Sequence, residues 1–92
     1  MKSLAWKAFL NLCLKSHNTD ELSQLFDCFL SLEEKEEITG RYLIVKALLE
    51  DKLTQRDMSD TLNVSIAKIT RGSNALKVVD DNLKSYLEKE LL

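Results

Sequence analysis

The sequence has no proline and only two glycines, Gly40 and Gly72. Tight β-hairpins draw on turn residues of these kinds, so their scarcity argues against a hairpin-rich β fold. Cysteine and histidine are equally sparse. Cys13 and Cys28 stand fifteen positions apart, in neither a CxxC pair nor a metal spacing, and with His17 they make a poor metal site. The two thiols are expected to be buried or half-buried in a reducing cytosol, with no metal bound. No run of about eighteen apolar residues occurs, so no membrane span is expected. Lys7 and Asn11 interrupt what would be the apolar centre of a signal peptide, and a cytoplasmic location is expected. A nucleophile–base pair and a phosphate-cradling glycine loop are also missing. Asp57 and Asp60, at i and i+3, read as a solvated helix face, and an enzyme is not expected.

What remains is rich in Leu, Lys, Glu, Asp and Ala, which makes helix the prior and all-α the expected class. Ninety-two residues suit a single domain over 1–92. So short a chain with so many leucines leaves apolar surface uncovered, which favours oligomerisation.

Apolar spacing divides the chain into helices. Trp6, Phe9, Leu10 and Cys13 fall at i, i+3, i+4, i+7. Asn18 and Glu21 form a capping-box pattern before Leu22, Leu25, Phe26 and Phe29, and Ser31 with Glu34 repeats it. A third helix is expected to about Asp51 through Ile38, Tyr42, Val45 and Leu49. Ile44 and Leu48 add a second stripe, so this helix should be covered on several sides, as at the centre of a dimer. Thr54 and Asp57 open a fourth helix, Gln55 to Leu62, with Met58 and Leu62 as its core pair. Asn63 then tolerates the left-handed conformation of a tight turn, Val64 packs inward and Ser65 caps a fifth helix. The periodicity places Ile66, Ile69 and Leu76 inward on that fifth helix. Asp80 or Asp81 caps a last one through Leu83, Tyr86, Leu87 and Leu91.

Two short helices joined by about three residues, the second basic and free of acids, fit a DNA-binding helix-turn-helix from about Thr54 to Lys77. Between Lys52 and Lys77 five cations face two carboxylates, a net +3. The total of −2 then leaves −5 for the rest of the chain. The outward positions of the second helix would be Ala67, Lys68, Thr70, Arg71, Asn74 and Lys77, with Gln55 and Arg56 beside the same surface. Gly72, inside a helix at a cost of about 1 kcal/mol, needs a packing reason. Arg41, amid Tyr42, Ile44 and Val45, needs a partner: an internal carboxylate or an anionic ligand. An oligomerisation scaffold without DNA remains open at this level.

The stretch ITRGSNALK, Ile69 to Lys77, closely resembles the recognition helix of the tryptophan repressor family. Gly40 to Lys77 resembles that family throughout, Leu83 to Leu92 its last helix and Ser31 to Glu34 the start of its third. The likeness is gapless over about Asp27 to Leu92, and before that only in pattern. It implies a six-helix homodimer of intertwined chains with L-tryptophan as corepressor, acting on double-stranded operator DNA of tryptophan biosynthesis or transport genes. Carried over, Arg71 would meet the ligand carboxylate, Arg41 would pack over the indole and Gly72 would leave room for the ring. Backbone carbonyls near Cys28 and Leu30 of the second subunit would take the ammonium group, with Ser31 at the pocket edge. Gln55, Arg56, Ile66, Ala67, Lys68, Thr70 and Lys77 would face the operator. Lys68 stands where a small hydroxyl residue is usual, Ser59 where a lysine contacts phosphate, and Ala75 where a serine helps hold the ligand's amino end. Asn63 replaces a turn glycine and Leu32 a helix-opening proline. The departure at Ala75 keeps a second reading open, a DNA binder that is ligand-independent or senses another amino acid or indole analogue.

Overall fold

Side-chain caps set the helix boundaries in the computed structural model, which describes residues 2–92. Its order is α1 (Lys2–Leu14), α2 (Thr19–Phe29), α3 (Leu32–Glu50), α4 (Gln55–Leu62), α5 (Ile66–Val78) and α6 (Asp81–Leu91), with no strand among the described residues. Asn18, Thr54, Ser65 and Asp80 each accept from the amide three residues on, satisfying a donor that the first helical turn leaves without a partner. At α3 both halves of the box form. The Glu34 amide donates to Ser31 Oγ at 3.1 Å, and the Ser31 amide donates to Glu34 Oε1 at 2.8 Å. At α2 the return bond falls one residue early, because Glu21 Oε2 accepts from the His17 amide rather than from Asn18. Of the two candidates for the last cap, Asp80 is the one used, accepting from Leu83 at 2.7 Å.

The chain falls into two compact units that part between Glu34 and Lys35. The first is built on Phe9, whose ring stacks on Trp6 at 5.6 Å and meets Phe29 edge-on at 5.2 Å, with Phe26 at 6.3 Å. This pins α1 to α2, yet no residue of either helix is fully buried, and Trp6 and Leu10 of the expected stripe are exposed. Cys13 is half-buried. Cys28 is exposed, against the expectation for a thiol, on a side of α2 turned away from the Phe26 and Phe29 contacts with Phe9.

The second unit has a core of Ile44, Ala47, Met58 and Ile69, packed by Leu48, Leu62 and Val64. The α3 stripe through Ile44 and Leu48 is therefore the one that this chain covers. The other stripe is open: Ile38 and Tyr42 are exposed, and with Val45 they line an apolar groove whose far wall is Tyr86, Leu87 and Leu91 of α6. At its end α3 stops on Asp51, which turns left-handed at φ 54° and donates its amide to Ala47 O.

Candidate DNA-binding face and ligand cleft

The unit's tightest local geometry joins α4 to α5. Asn63 stands at φ 55° and ψ 48°, the left-handed conformation that lets the chain reverse in three residues. Ser59 holds this turn from both sides of its residue. Its carbonyl accepts from the Asn63 and Val64 amides, and its hydroxyl donates to Val64 O at 2.6 Å. The side chain that the resemblance placed toward phosphates is thus half-buried and engaged within the turn. Met58 below and Ile69 beyond anchor the two helices on the same core.

On α5, Ala67, Thr70 and Lys77 are exposed, as are Gln55 and Arg56 at the start of α4. Ile66 corrects the periodicity reading. It is 45% exposed rather than inward, since α5 meets the core through Ile69 and Gly72, and the helix phase carries position 66 to the open side. Its exposure suits the surface role that the resemblance gave it. Thr70 Oγ1 donates back to Ile66 O at 3.0 Å, so its hydroxyl hydrogen is committed within the helix. Lys68 is half-buried and held: its ammonium lies 2.9 Å from Glu37 Oε1 on α3. This contact links residues far apart in sequence, and no local spacing announces it. Glu37 is held below the ordinary glutamate range, first by that hydrogen bond, then by the charges of Lys68, Arg71 and Arg41.

Arg41, Arg71 and Gly72 come together where α5 crosses α3. Gly72 is buried. A Cβ placed on it would stand 2.7 Å from Ile44 Cγ2 and 3.6 Å from Arg41 Cδ. The glycine therefore has an internal reason, the close approach of α5 to α3. Both arginines are exposed, and among the described residues neither has a carboxylate within ion-pair distance. Ala75, half-buried one turn on, supplies no polar atom. Cys28, Leu30 and Ser31 belong to the first unit, at the C-terminal end of α2. The last turn of α2 has no basic residue, so its closing carbonyls present the negative end of the helix dipole. Among the described residues no cluster of His, Cys, Asp and Glu is suited to a metal ion, and no helix is long and apolar enough to cross a membrane.

The chain matches the profile of the family described as Trp repressor protein over residues 4–91, so the likeness extends well before Asp27. A Trp operon repressor homolog of Chlamydia trachomatis serovar D is 50% identical over 86 residues, 94% of this chain and 92% of that protein. One from Chlamydia caviae is 46% identical over 83 residues, 90% and 82% of the two chains. One from Xylella fastidiosa is 33% identical over 87 residues, 95% and 92%. These matches define a regulatory family and not an enzymatic one, and the chain belongs to the Trp repressor protein family.

Proposed function

We propose that the chain is a transcriptional repressor that binds operator DNA as a homodimer, with α4 and α5 as its helix-turn-helix and L-tryptophan as corepressor. The observation that carries this reading is the α4–α5 pair itself. A three-residue turn through a left-handed Asn63 presents an α5 whose first turn has no acid and whose exposed side chains are Ile66, Ala67, Thr70 and Lys77. Gln55 and Arg56 flank it as phosphate or base contacts. The targets are operators of tryptophan biosynthesis or transport genes, in the cytoplasm.

The residues at hand suit a zwitterionic amino acid. Arg71 and Arg41 offer two guanidiniums to an anionic group, neither of them within ion-pair distance of a carboxylate among the described residues. The carbonyl end of α2, near Cys28, Leu30 and Ser31, suits an ammonium group brought by a second copy. A bound ligand strengthens repression only as far as it favours the arrangement that sets the two α5 helices one DNA turn, about 34 Å, apart. In such an interlocked dimer the partner copy completes the single domain over 1–92.

Gel-shift titration of operator-like duplexes at fixed salt, with and without tryptophan, tests the reading. Tighter binding with tryptophan is expected. Arg71→Ala removes a charge-assisted bond worth roughly 1.5–3 kcal/mol, so calorimetry should show tryptophan affinity falling by about tenfold or more. Ala75, which has no hydroxyl to offer an amino group, supports a second reading: a binder that is ligand-independent or tuned to another amino acid or indole analogue. A thermal-shift panel of tryptophan and its analogues separates the two.

A further inference from the structure

On the operator-facing side proposed for α5, one cation is already neutralised by the protein itself. Lys68 Nζ lies 2.9 Å from Glu37 Oε1, and the pair ties the first turn of α5 to α3. The Lys68 amide donates to Ser65 Oγ at 3.2 Å, so the backbone from which the side chain reaches is fixed by the cap. The two side chains are 44% and 61% exposed, so water and ions reach both, and the contact can exchange. A carboxylate and a phosphate present a lysine with the same chemistry, anionic oxygens that accept from an ammonium. The first turn of α5 has no acid of its own, so Glu37 supplies the negative charge placed against this end of the helix. Arg71 and Arg41 also act on that carboxylate and help to keep it ionised.

We propose that Glu37 is a built-in stand-in for a DNA phosphate: it occupies Lys68 off DNA, and Lys68 must trade this carboxylate for a backbone phosphate before it contributes on the duplex. The inference rests on the reading of α5 as the DNA-facing helix. While Lys68 stays on Glu37 it neutralises no phosphate and releases no counter-ion from the duplex. Lys68 therefore adds little to affinity or to its salt dependence in the natural sequence, although it sits where a free lysine would add both. Glu37 is thus a positioning residue for Lys68. It mutes a contact that would grip every sequence alike, which leaves discrimination to the side chains that meet base edges.

The test is a double-mutant cycle on the full chain, read by anisotropy on a labelled duplex. That duplex is selected from a random-sequence pool by binding to the unaltered protein with tryptophan present. Glu37→Gln should bind about three- to tenfold more tightly, and its log–log salt slope should steepen by about one unit, the share of one added phosphate contact. Lys68→Met should cost less affinity in the natural chain than in the Glu37→Gln background, because in the former the lysine it removes is already committed. In the double variant the gain from Glu37→Gln should vanish. A gain that persists without Lys68 would show that Glu37 merely repels DNA, and would overturn the proposal, as would Glu37→Gln with unchanged affinity and slope. If the unaltered chain selects no duplex, the repressor reading fails and this inference falls with it. If it selects one and the cycle shows no coupling, the inference alone fails. Thermal unfolding of each variant checks that the exposed substitutions leave the fold intact.

Discussion

Gly72 and Ile44 pack so closely that a Cβ on residue 72 would stand 2.7 Å from the Ile44 Cγ2 methyl, inside any real carbon–carbon contact. Ile44 is 1% exposed and β-branched, so the methyl has no free rotamer to swing into. Two effects then compete in Gly72→Ala. Removing a mid-helix glycine favours folding by about 1 kcal/mol, while overpacking a core contact costs about 1–3 kcal/mol. The clash should win. At a fixed chain concentration the melting temperature is expected to fall by several degrees, and tryptophan response to weaken because α5 is pushed off α3. In an Ile44→Ala background the same substitution should become neutral or stabilising. A loss of equal size in both backgrounds would show that Ile44 is not the cause.

The turn between α4 and α5 makes a second prediction. Asn63 holds φ 55° with a side chain, a conformation that costs most residues about 1–2 kcal/mol. Asn63→Ala should destabilise by about 1 kcal/mol and Asn63→Gly should be close to neutral, since glycine takes this region freely. Denaturant midpoints of the two variants check the order. The same ranking is expected at Asp51, the other left-handed position, at φ 54°.

Much of this was legible because it is local. Thr54, Asn63, Ser65 and Asp80 announce helix ends through bonds that span three or four residues, and α4 begins and ends where the caps place it. Periodicity puts Ile66 inward because it gives the spacing of a stripe but not its phase against the core. That phase is set by Gly72, where the backbone itself meets α3. The Lys68–Glu37 pair had no signal at all. It joins residues on separate helices, and each alone reads as an ordinary surface charge. Ser59 reads only as a lost phosphate contact, and the bond its hydroxyl makes to Val64 O inside the turn has no signal of its own in the sequence.

Glu21 and Glu37 should both titrate below the 4.5 of an unperturbed glutamate. A carboxylate with a lowered folded value contributes stability that is present above its unfolded value and is lost as pH falls through the folded one. The window for both therefore lies on the acid side of 4.5, and neutral pH should leave them unaffected. Carbon-detected NMR titration resolves each carboxyl. Lys68→Met should return Glu37 most of the way, because the lysine hydrogen bond is the leading cause. His17→Ala should return Glu21 only in part, because the largest cause there is the His17 backbone amide, which survives the substitution. Full recovery of Glu21 in that variant would put the imidazole first.

The uncovered side of α3 carries the last prediction. Ile38 is 56% exposed, Tyr42 49% and Tyr86 58%, in a groove also lined by Val45, Leu87 and Leu91. Apolar surface of this kind gains about 25 cal/mol for each Å² taken from water, so in the proposed dimer a second copy would cover it. Ile38→Glu would place a carboxylate in that contact. At a two-fold interface each substitution counts twice, once from either subunit. A buried unpaired polar group costs at least about 1–3 kcal/mol, so the dimer should weaken by a hundredfold or so. Sedimentation equilibrium should then show dimers for the unaltered chain and monomers for Ile38→Glu at the same concentration, with a melting temperature that rises with concentration only in the former. An unaltered chain that sediments as a monomer throughout, or an Ile38→Glu variant that dimerises as well as its parent, would move the interface to another face.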